Sequence, residues 1–337
     1  MAKSERFGTT DAGEEVTRVV LEGGGLTAHI LTWGAIIQDL RLDGHSAPLV
    51  LGFERFEDYL HHSPYFGATP GRYANRIADG RFTLDGETYQ LDCNEKGVSH
   101  LHGGANGYGH RNWDLVDHGS DFVHLRLVDP DGTSGYPGTA TVNCTYRLLE
   151  GGILNVVYET ETDKPTIANI CQHSYFNLDG ESTALGHELE IAADRYLPVD
   201  ERLIPVGGPQ EVEGTPFDFR EMRRMGRVID GKPFVYDHNF CLSDGRVEKR
   251  HVVTARSPVS NVELRVATTE PGVQYYAGAY VDVKVPGHGG RIYGAFSGFC
   301  LETQVWPDGP NQEGFPDTVV RPGETLRQET DYIFSKG

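Results

Sequence analysis

The feature that most narrows the possible folds is a side-chain alternation with a period of two. Val262-Glu263-Leu264-Arg265-Val266, Val123-His124-Leu125-Arg126-Leu127 and Val142-Asn143-Cys144-Thr145-Tyr146 each set apolar residues against polar ones. Successive side chains of a strand point to opposite faces, so each run offers one face to a core and one to water. Turn clusters separate such runs: Leu84-Asp85-Gly86-Glu87, Asp129-Pro130-Asp131-Gly132, Glu150-Gly151-Gly152 and Ser243-Asp244-Gly245. Asp-Gly between alternating runs predicts hairpins. Helical spacing is confined to residues 53–60 and 219–225, each predicted as a short helix. The 42 glycines and 18 prolines suit many tight turns. The expectation is an all-β fold of large antiparallel sheets packed face to face.

No repeat, low-complexity tract or linker divides the chain, so residues 1–337 are expected to form a single domain. A net charge of −19 repels phosphate groups and anionic lipid, which argues against nucleic-acid and membrane partners and against a phosphorylated substrate. Its plainest consequence is solubility. Cys93, Cys144, Cys171, Cys241 and Cys300 are odd in number and contain no CxxC pair. They fit neither a disulfide framework nor a zinc site, but suit mostly buried, reduced thiols in a cytoplasmic protein. The polar start, Met1-Ala2-Lys3-Ser4-Glu5-Arg6, lacks the apolar stretch of a signal peptide, and no apolar segment is long enough to span a bilayer.

Five segments break the alternation with unusual polar content: Gly71-Arg72-Tyr73-Ala74-Asn75-Arg76-Ile77, Ser99-His100-Leu101-His102-Gly103-Gly104, Gln172-His173-Ser174-Tyr175-Phe176-Asn177-Leu178, Tyr236-Asp237-His238-Asn239-Phe240 and Leu301-Glu302-Thr303-Gln304-Val305-Trp306-Pro307-Asp308. With Gly135-Tyr136-Pro137-Gly138, Gly214-Thr215-Pro216-Phe217-Asp218-Phe219-Arg220 and Thr269-Glu270-Pro271-Gly272-Val273-Gln274, they resemble the signatures of the aldose 1-epimerase (galactose mutarotase) family, in that family's order. Each motif alone is weak; the ordered set, over nearly the whole chain, is specific. The resemblance implies a β-supersandwich and interconversion of the α and β anomers of a free sugar, without cofactor or metal.

That reaction opens a hemiacetal. A base removes the C1 hydroxyl proton, an acid protonates the ring oxygen, the open aldehyde rotates about C1–C2 and the ring recloses with the roles swapped. The resemblance assigns Glu302 as base and His173 as acid. It places His102 at the ring oxygen or neighbouring hydroxyls, and Asn75, Arg76, Asp237 and Gln274 on sugar hydroxyls. Trp306 or Tyr275 would offer an apolar face to the ring. An ordinary carboxylate and imidazole would make activity fall on the acid side as Glu302 protonates.

Plainer readings stand beside these. His100 and His102 could bind a metal, whereas His61 and His62, being adjacent, point apart. Arg76 could pair with a surface carboxylate and Asp237 could cap a turn. Glu302 stands in an apolar strand-like run, where a charge is costly without a task or partner. His238 reads as structural. Tyr108-Gly109-His110-Arg111-Asn112, Val305-Trp306 and Ala279 depart from the family pattern at the pocket border and leave the preferred sugar and the oligomeric state unassigned. The competing functions are an epimerase of a modified or phosphorylated sugar, using Arg72, Arg76 and Arg111, and a non-catalytic carbohydrate-binding protein.

Overall fold

The computed structural model describes residues 3–337; Met1 and Ala2, at the head of the polar N-terminal stretch, lie outside the described residues. The three alternating segments become strands of one nine-stranded antiparallel sheet. Its order is Arg223–Arg224, Glu188–Ile191, Arg250–Arg256, Val262–Thr268, Leu326–Lys336, Ile153–Thr162, Ala140–Leu149, Phe122–Asp129 and Asp114–His118. The pleat sorts the side chains as expected: Ala140, Val142, Cys144, Tyr146 and Leu148 of one strand are all buried. A six-stranded sheet contains, in order, Tyr175–Phe176, Phe299–Gln304, Gly272–Tyr276, Asp237–Cys241, Arg195–Tyr196 and Gln210–Glu211. A four-stranded sheet spans Lys3–Thr9, Glu15–Gly23, Leu26–Leu31 and Ile37–Leu42. One core draws on all three, joining Leu21 and Ile30 to Val123, Tyr146 and Leu264 and to Phe240, Val273 and Leu301. No helix is long and apolar enough to cross a membrane among the described residues.

The turn clusters behave unequally. Hairpins close at residues 84–87 and 150–152, and the chain turns between Phe122–Asp129 and Ala140–Leu149 as expected. Ser243-Asp244-Gly245 makes no hairpin. Asp237–Cys241 belongs to the six-stranded sheet and Arg250–Arg256 to the nine-stranded one, so this turn carries the chain between sheets.

The expected helices also differ. The first spans Phe56–His62, starting later than predicted because the Phe53 N–H donates to Tyr59 Oη (3.0 Å) and Arg55 is still extended. Glu57 and Asp58 in its first turn, and the exposed His61 and His62 in its last, suit the helix dipole. Residues 219–225 form no helix. The Asp218 carboxylate accepts from the Arg220 guanidinium (2.9 and 2.8 Å), offering the chain a local alternative to a helical turn. Arg223–Arg224 then pairs with Glu188–Leu189 at the sheet edge.

Register in the six-stranded sheet decides what faces what. Gln274 lies opposite Glu302 and Asn239, Tyr276 opposite Asp237 and Cys300, and Cys300 opposite Tyr175. Directly opposed residues share a face. Glu302, Gln274, Asp237 and Cys300 therefore stand together. Tyr275 and His238 turn the other way, Tyr275 against Tyr236 (5.2 Å between ring centroids) and His238 against Phe217 (4.5 Å).

Candidate active site

Glu302 projects from the strand Phe299–Gln304, and His173 precedes the paired residues Tyr175–Phe176 by two positions, reaching the same face. His173 Nε2 lies 3.6 Å from Glu302 Oε1, with both side chains buried. His102 completes the cluster, its ring centroid 5.1 Å from that of His173. Donor atoms of all three lie within 4.8 Å of one another, an arrangement found nowhere else among the described residues. Such a cluster can relay a proton and has the dimensions of a cation site. A surface cleft of about 440 Å³ elsewhere, lined by Asn177, Arg291 and Tyr293 among others, contains no histidine.

His102 is held by its neighbours. Asn75 N–H donates to His102 Nδ1 (3.1 Å), and His102 N–H donates to the Asn75 carbonyl (2.9 Å). A neutral imidazole whose Nδ1 accepts carries its proton on Nε2, so His102 is a hydrogen-bond donor there. Asn75 also caps the Arg76 N–H through Oδ1 (2.9 Å). Both residues, and Tyr65, occupy the left-handed region, with φ of +61° at Asn75, +51° at His102 and +67° at Tyr65. Non-glycine residues seldom adopt it, and such strain gathers at functional sites. Gly103 is obligatory beside them: φ is +89° and a Cβ would lie 1.7 Å from the Gly71 carbonyl oxygen.

Burial sets the electrostatics. It pushes Glu302 up to about 8, with Asp237 adding to the rise and Cys171 and Arg76 opposing it. It pushes His173 down to about 4. His102 falls well below its usual value, by burial first and then by His173 and Arg76. The pair therefore holds one proton across that range, on Glu302, and the order of the two titrations is the reverse of the one expected from ordinary values.

Asp237 and Gln274 meet through a Gln274 Nε2 to Asp237 hydrogen bond (2.7 Å), which leaves Gln274 Oε1 buried without a partner. Arg76 is bound by Glu95, its Nε and Nη2 each 2.7 Å from a carboxylate oxygen. The plainer reading of Arg76 is thus partly right, although its charge still acts on Asp237 and Glu302.

Several expectations are overturned. Trp306 is buried against Phe315 (5.0 Å) with Nε1 donating to the Pro271 carbonyl, and Tyr275 faces the aromatic core, so neither offers a face to a sugar. Tyr65 packs its aromatic ring on the histidine cluster, 4.7 Å from His102, 5.9 Å from His173 and 5.0 Å from His110 between ring centroids. His100 cannot join His102 on a metal: its Nδ1 lies 2.8 Å from the Asp92 carbonyl and its Nε2 2.6 Å from Tyr136 Oη. Arg72 and Arg111 both engage the buried Asp129, at 2.6 and 2.8 Å, and the phosphate reading loses two of its three cations. Sequence reasoning also missed Glu95, Cys171 and Cys300. The thiols had a signal: each stands two residues before His173 or Glu302, a spacing that shares a strand face.

Comparison with known proteins agrees with this architecture. The aldose 1-epimerase family model matches residues 17–332. Galactose mutarotase from Rattus norvegicus is 43% identical over 331 residues, covering 96% of this chain and 95% of that one. The crystal structure of an aldose epimerase homologue from C. elegans superposes with a TM-score of 0.89 at 31% identity, covering 95% of this chain and 98% of that one. Galactose 1-epimerase from Lactobacillus acidophilus gives a TM-score of 0.85 at 29% identity, covering 100% and 99%. The all-β scaffold thus gathers His102, His173 and Glu302 on one face of a sheet, side chains of the kind that proton-transfer chemistry uses. The chain belongs to the aldose 1-epimerase family, and it is an isomerase of the mutarotase type.

Proposed function

We propose that the chain, acting as one domain over residues 1–337 in the cytoplasm, interconverts the anomers of a free aldose through Glu302 and His173. The observation that carries this reading is the 3.6 Å approach of His173 Nε2 to Glu302 Oε1 in a buried pocket. The free enzyme stores the pair's single proton on Glu302. Sugar hydroxyls entering the pocket stabilise the carboxylate and let the ion-paired form, with the proton on His173, take part. Glu302 then removes the C1 hydroxyl proton and His173 protonates the ring oxygen; the C1–ring oxygen bond breaks as C1=O forms. After rotation about C1–C2, Glu302 returns its proton as His173 recovers one, and the ring closes on the other face. His102 Nε2–H donates to the ring oxygen or a neighbouring hydroxyl. Asn75, Arg76, Asp237 and the unpartnered Gln274 Oε1 serve the other hydroxyls, and Tyr65 offers the ring an apolar face. The partners are small sugars, and neither nucleic acid nor membrane is one.

Polarimetry of freshly dissolved α-anomers of glucose, galactose, xylose, arabinose and fucose tests this directly. A rate above the spontaneous one is expected for at least one sugar, unchanged after dialysis against a chelator. A rate lost to the chelator and restored by one metal ion would reassign the His102–His173–Glu302 cluster to cation binding. No rate for any sugar would favour the non-catalytic reading.

Asp237→Ala and Arg76→Ala are expected to raise KM by roughly 10- to 100-fold, the scale of losing a hydrogen bond to a charged group. Their contacts are the same in ground state and transition state, so kcat is expected to change only a few-fold. A large kcat loss with KM intact would place them at the reacting atoms instead.

A further inference from the structure

The pair has two other neighbours that the mechanism above does not use. Cys171 Sγ lies 3.7 Å from Glu302 Oε2, and Cys300 Sγ lies 3.6 Å from His173 Nδ1. The pattern is crossed: each thiol stands two residues before one member of the pair and touches the other member. Both cysteines are free and buried.

We propose that Cys171 and Cys300 are positioning residues for the proton-transfer pair, Cys171 S–H donating to Glu302 Oε2 and Cys300 Sγ accepting His173 Nδ1–H. The inference rests on the roles proposed above for Glu302 and His173. A histidine that loses and regains its proton at Nε2 must keep the Nδ1 proton throughout, so the group facing Nδ1 has to accept. A glutamate that works through Oε1 needs Oε2 anchored. Sulfur meets both needs weakly, as a poor donor and a poor acceptor. A backbone N–H or guanidinium on Oε2 would pull Glu302 down, and a carboxylate on Nδ1 would pull His173 up. Either would narrow the window in which one proton is shared. Burial raises both thiols well above their usual value, so they stay protonated through that window.

The other groups around the pair do not duplicate this service. Asp237 and Arg76 act on Glu302 through charge, whereas Cys171 hydrogen-bonds its carboxylate. His102, Tyr65 and Tyr175 surround His173 by ring packing, Tyr175 stacking at 5.1 Å.

The test is kinetics and titration of Cys171→Ala, Cys171→Ser, Cys300→Ala and Cys300→Ser, beside wild type. Each alanine variant is expected to lose roughly 3- to 30-fold in kcat with KM unchanged, since neither thiol touches the sugar. Cys171→Ala should move the alkaline limb of kcat/KM to higher pH, because Glu302 loses a donor. Cys300→Ala should move the acid limb to lower pH, because the imidazolium loses an acceptor. The serine variants should recover part of each loss. Wild-type kcat and unmoved limbs in both alanine variants would overturn the proposal, as would losses equal in alanine and serine with no limb shift, which packing alone explains. ¹⁵N chemical shifts of His173 in the intact wild-type protein give a readout independent of mutant folding: the neutral ring should carry its proton on Nδ1, and a proton on Nε2 would overturn the role of Cys300. An inactive wild type would instead defeat the underlying functional reading.

Discussion

Glu302→Gln and His173→Asn are each expected to lower kcat by roughly 10²–10⁴-fold, the range for losing a positioned proton-transfer group. Both substitutions keep approximate shape and hydrogen-bonding capacity, so the fold and KM should largely survive. The two groups act in one coupled event, and the double variant should be little worse than the poorer single one. The pH profile adds a sharper signature. Below about 4 both groups hold a proton and no base remains; above about 8 neither does and no acid remains. Wild-type kcat/KM, which reports the free enzyme, should be flat between those limits and fall outside them. Because burial puts the upper value on Glu302, residual activity of Glu302→Gln should lose the alkaline limb, while His173→Asn loses the acid limb. That is the reverse of what unperturbed side chains suggest, where the carboxylate titrates first. A folded Glu302→Gln protein with near-wild-type kcat would falsify the assignment of the pair, whatever the family. A carbohydrate-binding protein without activity would show no rate above the spontaneous one in any variant, wild type included.

The all-β architecture was legible because period-two alternation is a local property. Val123–Leu127, Val142–Tyr146 and Val262–Val266 each contain enough residues to display it, and all three lie in the nine-stranded sheet. The six-stranded sheet was harder to see: its strand Phe299–Gln304 is buried at every position and so shows no polar face to alternate with. What a turn connects was not local either, and Ser243-Asp244-Gly245 looks the same whether it closes a hairpin or changes sheet. Seven site residues follow from motifs, and the fold brings ligating atoms of His102, His173 and Glu302 within 4.8 Å of one another across 200 residues of chain. The apolar wall was misplaced on Tyr275 and Trp306. Once Gln274 and Glu302 share the pocket face, the pleat sends Tyr275 to the other one, a conclusion that needs the register. Tyr65 and Glu95 sit in loops with no pattern to announce them. Their roles follow from a left-handed turn at Tyr65 and an ion pair closed over 19 residues, neither of which the local sequence specifies.

The same burial that tunes the pair should be visible in stability. Glu302→Gln is expected to be more stable than wild type, by an amount that grows with pH. In the unfolded chain the carboxyl ionises near 4.5, and in the native protein near 8. Between these values the native state binds a proton that the unfolded state has released, so native stability falls as pH rises, by about 1.4 kcal/mol per unit. The cumulative cost by pH 7 is about 3 kcal/mol, and Gln, which never ionises, avoids it. His173→Asn should show the opposite trend. The unfolded imidazole takes up a proton below 6.5 while the native one stays neutral down to about 4, so this residue costs stability as pH falls. Near pH 5 that cost is about 2 kcal/mol, and Asn removes it. Thermal unfolding of the three proteins at pH 5, 6, 7 and 8 measures both slopes. The Tm advantage of Glu302→Gln should rise by several degrees across the series, and that of His173→Asn should shrink. The two substitutions are expected to stabilise the fold and lower activity together, since what makes each group costly in the native state is the same desolvation that brings it to the reaction. Advantages that do not change with pH would mean that Glu302 and His173 titrate in the native protein much as they do in water.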